Sequence, residues 1–226
     1  MLKIAGRNRK TCVASDFGFA VAPRLNAAGR LEDMSIGIEC LLTDDPKQAL
    51  ALAQQLDALN HERRSIEQDM REQAFAALDS LQLDDAEQPV GVCLYDKSWH
   101  QGVIGILASR VKDRLHRPVI AFAPGDNGEL KGSARSIHGL HIRDALDAVA
   151  AHNPDLITKF GGHAMAAGLS LPASKFEIFR QAFDVEVRRQ LDEDALKDIV
   201  YSDGELGSND LSLSFAETLR NAGPWG

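Results

Sequence analysis

Eleven consecutive residues, Lys159-Phe160-Gly161-Gly162-His163-Ala164-Met165-Ala166-Ala167-Gly168-Leu169, put a glycine pair, an imidazole and a run of small side chains directly before the strand-like Leu169-Ser170-Leu171. Adjacent glycines can take positive φ and let backbone N–H groups approach an anion, and a neighbouring histidine adds a donor or a proton. That is the chemistry of a phosphate site. The same residues also read as a tight turn carrying a surface histidine, the commoner use of glycine.

Three further segments carry related chemistry. Pro23-Arg24-Leu25-Asn26-Ala27-Ala28-Gly29-Arg30 holds two arginines and an asparagine; guanidinium forks suit phosphate, although they equally suit the nearby carboxylates of Glu32 and Asp33. Trp99-His100-Gln101-Gly102-Val103-Ile104-Gly105-Ile106 sets an aromatic and an imidazole at a strand-to-helix junction whose N–H groups can face an anion. The bland reading of His100 is a satisfied surface histidine. Lys131-Gly132-Ser133-Ala134-Arg135-Ser136 has the hydroxyl, guanidinium and glycine content of an oxyanion cradle, or of an ordinary polar hairpin strand.

The elements that must position these residues are legible from periodicity. Leu52, Leu56, Leu59, Arg63, Ile66, Met70, Gln73, Ala77 and Leu81 recur in steps of three and four, predicting one amphipathic helix from about Pro46 to Leu81. Thr43-Asp44-Asp45-Pro46 supplies its cap and a proline for its first turn. At ~1.5 Å per residue it would span on the order of 50 Å. Arg63 and Gln73 interrupt the stripe, which favours a helix joining two domains over a sustained coiled coil. After the acidic stretch 84–89, short apolar runs alternate with amphipathic ones. Strands are expected at 90–95, 118–123, 130–136 and 167–171, with helices at 102–115, 142–151 and 174–191. This is an α/β domain with a mixed sheet, and its glycine motifs fall in loops beyond strand ends, where ligands gather in such folds. The tail 199–216 starts a new module.

Composition bounds the function. The chain has 226 residues, 44% of them hydrophobic and 26% charged, with a net charge of −8. Its charge is segregated, about +5 over 1–30, −10 over 31–90, +2 over 91–171 and −5 over 172–226. A local basic site on an acidic body fits an enzyme that grips one strand end better than a protein that coats nucleic acid. Cys12, Cys40 and Cys93 are scattered and odd in number, which suggests neither a disulfide framework nor a thiolate zinc site. No apolar run approaches the ~20 residues of a membrane span and no signal-peptide core is present, so a cytoplasmic address is expected.

Taken together, in this order and spacing, these segments resemble the RecJ single-stranded-DNA exonucleases of the DHH phosphoesterase superfamily over essentially the whole chain. The resemblance implies a C-terminal remnant of the catalytic DHH domain at 1–43, a connecting helix at 44–83, and a mixed-sheet DHH-associated domain at 84–192. The start of a truncated OB-type domain would follow at 193–226. It implies Arg135 and His163 as catalytic residues, and Arg24, Asn26, Arg30, His100, Ser133, Ser136, Gly161 and Gly162 as nucleic-acid or phosphate contacts. Members of the family hold two divalent ions, manganese or magnesium, in an N-terminal domain that includes an Asp-His-His run. None occurs here, and His61, His100, His116, His138, His141, His152 and His163 are dispersed, so no metal ligand is assigned. The implied partners are single-stranded DNA, a single-strand-binding protein and a repair helicase. Two alternatives stand beside this reading: a weak nucleic-acid-binding or docking module without catalysis, and a small-nucleotide phosphodiesterase of the same superfamily.

Overall fold

The computed structural model describes residues 1–80, 89–192, 194–197, 199, 202, 204–208 and 210–222. The chain divides into two units, residues 1–60 with 199–226, and residues 61–198.

In the first unit, α1 (Ala14–Asp16) leads through a π-helical turn, Phe17–Val21, into α2 (Ala22–Leu31), followed by α3 (Ser35–Leu42). The long helix α4 (Pro46–Ser80) begins here and continues into the second unit; the predicted Leu81 and most of the acidic stretch lie outside the described residues. Its start follows the capping chemistry of its sequence. Asp45 accepts the Lys47 N–H at 2.9 Å, and the Thr43 hydroxyl accepts the Asp45 N–H at 3.2 Å. Ala27, Ala28, Cys40, Ala53, Leu56 and Leu59 form the core of this unit.

The second unit is built on a five-stranded sheet in the order β1-β2-β3-β5-β4, comprising β1 (Val92–Tyr95), β2 (Val119–Pro124), β3 (Glu129–Arg135), β4 (Lys159–Gly162) and β5 (Ala166–Pro172). Only β1 and β2 pair in parallel, and their crossover is α5 (Ile104–Leu115), which packs on β2 and β3. The other pairs are antiparallel. The opposite face carries Ile120, Phe122, Leu130, Ala134, Ala167, Leu169 and Leu171 and is covered by α6 (Ile142–His152) and α7 (Phe176–Gln190). Phe122 meets Phe179 edge-on at 5.7 Å, and Phe179 stacks on Phe183 at 5.9 Å. Asp184 of α7 pins the entry to β1 by accepting the Val90 and Gly91 N–H groups at 2.7 and 2.8 Å. The sheet thus has one face closed by two helices and the other closed by α5 over β2 and β3.

In the tail, Leu213–Ala222 form a helix, α8. The Ser212 hydroxyl accepts the Phe215 N–H at 3.2 Å, a helix cap that the alternating Leu211-Ser212-Leu213-Ser214 pattern conceals.

Candidate phosphate site

The strand register arranges the side of the sheet away from α6 and α7 in rows. Directly paired residues of antiparallel strands share a face. Lys131 of β3 pairs with Ser170 of β5, which pairs with Lys159 of β4. One row along stand Ser133, Gly168 and Gly161. In the next, Arg135 pairs with Ala166, whose carbonyl accepts the His163 N–H at 2.8 Å across the hairpin. The first two of these rows floor an open cleft of about 500 Å³ lined by Lys131, Ser133, Lys159, Gly161, Ser170 and, from the β1–α5 loop, Gln101, and the row of Arg135 follows next to it. Small residues at 161 and 168 keep the floor low, and a side chain added at Gly161 would point into open space.

Arg135 is held rather than free-swinging. Its Nε donates to the Ser109 hydroxyl at 3.1 Å, and its Nη1 donates to the Ser133 hydroxyl at 3.1 Å and to the Ala134 carbonyl at 2.8 Å. The room for it is made by Gly105 in the first turn of α5, where a Cβ would stand 2.9 Å from Nη2 and 3.0 Å from the Ser133 hydroxyl. Lys131 is oriented by the Ser170 hydroxyl at 3.0 Å and Glu129 at 3.2 Å.

The loop from β1 to α5 borders this cleft. Trp99 is buried, with its indole N–H donating to Gln73 of α4 at 2.9 Å, so it offers no face for stacking a base. Gln73 and Arg63, the two interruptions of the apolar stripe, are the polar fastenings of α4: Arg63 pairs with Glu67 at 2.7 Å, and Glu67 with Arg110 of α5 at 3.2 Å. His100 accepts the Gly102 N–H on its Nδ1 at 3.1 Å, and the half-buried imidazole thereby closes the turn into α5.

Of the residues singled out in the sequence, Ser133, Arg135, Gly161 and His163 are brought onto one stretch of sheet. Others serve different ends. Ser136 is 1% exposed and donates its hydroxyl to the Leu140 carbonyl at 2.8 Å, so it is a buried structural link rather than a phosphate contact. The glycine pair is no loop but the end of β4; Gly162 has φ +154, and a Cβ there would lie 2.4 Å from the Ala166 carbonyl oxygen, so the hairpin itself demands glycine. Gly132 lies on the α6/α7 face, where Phe122 and Leu169 close over it. Arg24 is engaged in the first unit, donating to Asp57 of α4 at 2.7 Å and to the Ala20 carbonyl at 2.6 Å. Asn26 and Arg30 lie four residues apart on exposed positions of α2 in that same unit. Lys159, Ser170 and Gln101 were not picked out from the sequence, and their signal, the alternation of polar residues facing a glycine-floored row, emerges only once the strands are paired.

Metal chemistry finds no seat among these side chains. Among the described residues no three of His, Cys, Asp and Glu gather closely enough to hold an ion, and His138 and His141 sit without the carboxylate set that paired ions need. No helix among the described residues is long and apolar enough to cross a membrane.

The DHHA1 domain family matches residues 87–189, which encompass the sheet and most of α7. Over all 226 residues the chain is 55% identical to the single-stranded-DNA-specific exonuclease RecJ of Dickeya dadantii and 51% identical to that of Escherichia coli. Along its whole length the chain is similar to RecJ proteins. It spans 39% of the length of each of these two RecJ proteins. Solved RecJ structures agree with the fold. That of Thermus thermophilus RecJ in complex with Mg2+ superposes with a TM-score of 0.70 at 32% identity, covering 83% of this chain and 27% of that one. A RecJ bound to manganese gives 0.71 at 31% identity, covering 88% and 46%.

Proposed function

We propose that this chain supplies the phosphate-gripping half of a RecJ-type 5′-to-3′ exonuclease that degrades single-stranded DNA in repair and recombination. The observation that carries the reading is the placement of Arg135 and Ser133. A guanidinium fixed by three hydrogen bonds is bonded to the hydroxyl of Ser133, which itself lines a glycine-floored cleft. Such a group needs no reorganisation to meet a phosphate oxygen, which is what makes preorganised cations effective where negative charge develops. His163, in line with Arg135 on the hairpin, is the second candidate for contact with the scissile phosphate, and Gly161 offers backbone at the floor. Manganese or magnesium, present in the solved RecJ structures, would polarise the phosphate from ligands other than the described residues. This chain's own part is to bind, orient and neutralise. The reading extends to a cytoplasmic setting and to a single-strand-binding protein and a repair helicase as partners. A small-nucleotide phosphodiesterase is disfavoured, because the relatives similar over the whole chain are single-stranded-DNA-specific exonucleases.

The test is hydrolysis of an end-labelled, 5′-phosphorylated strand with manganese by this chain alone, by a RecJ protein containing it, and by its Arg135→Ala and His163→Ala variants. Activity confined to the longer protein and reduced ~10²–10³-fold in the variants is expected. Unchanged kcat/KM in both variants would remove the assignment.

A further inference from the structure

The rows of the cleft repeat at a fixed interval. Two residues of strand advance ~6.6–6.8 Å, a step close to the separation of neighbouring phosphates along an extended single strand. Arg135, Ser133 and Lys131 occupy successive rows of β3, and His163, Gly161 and Lys159 the corresponding positions of the β4 side. Each row therefore offers donors at one phosphate interval: a guanidinium with the hairpin histidine, a hydroxyl over bare glycine backbone, then two ammonium groups flanking Ser170. The middle row is low because Gly161 and Gly168 carry no side chains. Lys131 shares its charge with Glu129, whereas among the described residues no carboxylate pairs with Lys159. The far row thus keeps a net positive charge about 13 Å, or four residues of strand, from Arg135.

We propose that Lys131 and Lys159 form a second anion subsite, which takes the phosphate two nucleotides away from the one held at Arg135. The three rows together act as a ruler for a strand of at least three phosphates. The inference rests on the functional reading above and deepens it: Arg135 sets whether a phosphate is gripped, and the lysine row sets how long a strand must be to be gripped well. Lys159 is a specificity residue in this scheme, since it lies outside the Arg135 row and acts on strand length alone.

The experiment uses the 226-residue chain as it stands. Binding of 5′-phosphorylated oligothymidylates of two, three and six nucleotides is measured at low salt by displacement of a fluorescent six-nucleotide probe, for the parent chain, Lys159→Gln and Arg135→Ala. Affinity should rise sharply between two and three nucleotides in the parent. In Lys159→Gln that rise should shrink about 3- to 10-fold while two-nucleotide binding is unchanged, and the salt dependence of six-nucleotide binding should lose about 0.7 from its logarithmic slope, one phosphate contact on a single strand. Lys159 is exposed on an outer strand, and an unchanged circular dichroism spectrum will show that the variant is folded. If Lys159→Gln weakens all lengths equally, or none, the ruler is wrong while the phosphate grip stands. If Arg135→Ala leaves every length unaffected, or if the parent binds none of the strands, the underlying reading falls instead.

Discussion

The guanidinium Nε of Arg135 donates to the Ser109 hydroxyl at 3.1 Å, and that hydroxyl donates in turn to the Gly105 carbonyl one helical turn back at 3.1 Å. The strand that carries Arg135 is therefore linked to the helix that crosses over it through the Ser109 hydroxyl oxygen.

Removing that oxygen separates function from stability. Ser109→Ala replaces serine by the better helix former in α5 and costs one hydrogen bond at a half-buried site, so the net change in unfolding free energy should stay within about 1 kcal/mol. Binding of a 5′-phosphorylated strand should weaken several-fold, because Arg135 loses one of the three hydrogen bonds that orient it. Calorimetry and a binding titration on the same sample check both halves.

Gly105→Ala makes a complementary demand. The added methyl would sit 2.9 Å from the Arg135 Nη2 and 3.0 Å from the Ser133 hydroxyl. The far end of a flexible side chain is what must yield, so the fold should survive, helped by up to about 1 kcal/mol of helix propensity. Strand binding should fall on the order of tenfold. A variant that binds as tightly as its parent would show that the guanidinium position does not matter.

Gly132→Ala tests the opposite face. Its methyl would lie 2.5 Å from the Phe122 ring and 2.6 Å from Leu169, both within the packed core. Overpacking of this kind costs about 1–3 kcal/mol. Urea denaturation should show the midpoint falling at constant m-value, with phosphate affinity lost only in proportion to the unfolded fraction.

Part of the acid sensitivity should reside in α7. The hydrogen bond from Arg189 to the Glu186 carboxylate, joined by one from Gln190, holds the Glu186 pKa below the ordinary glutamate value against the opposing effect of burial. A depressed folded-state pKa stabilises the fold above the ordinary glutamate range, and that stabilisation disappears as pH falls through the folded value. The melting temperatures of the parent and Glu186→Gln should therefore differ most near neutrality and converge in strong acid. Parallel curves across the range would contradict this.

Local rules carried much of the fold. The steps of three and four from Leu52 to Met70 located α4, and the apolar run at 118–123 located β2 to within a residue. Even the alternation of Lys131, Ser133 and Arg135 with Gly132 and Ala134 is a two-faced strand in plain sequence. What stayed hidden depends on partners far along the chain. Nothing near Arg24 announces Asp57, 33 residues away, and nothing near Ser136 shows that its hydroxyl turns inward. The Gly161–Gly162 pair looked like a loop because glycine weakens strands; its pairing with β5 overrides that local preference. Lys159 becomes a site residue only through Ser170 and Lys131, a relation fixed by register.

The order in which the strands come together adds a kinetic dimension. β2 with β3, and β4 with β5, are joined by short turns and can close locally, whereas the β3–β5 pairing must wait until the 30 residues between them, including α6, have been gathered in. Every row of the cleft is drawn across that last seam. Under the function proposed above, a grip on phosphate is absent from either hairpin alone and requires the two halves to dock. Under that proposal a bound strand should act as a staple across the β3–β5 joint, slowing its opening and protecting the β3 and β5 amides from exchange.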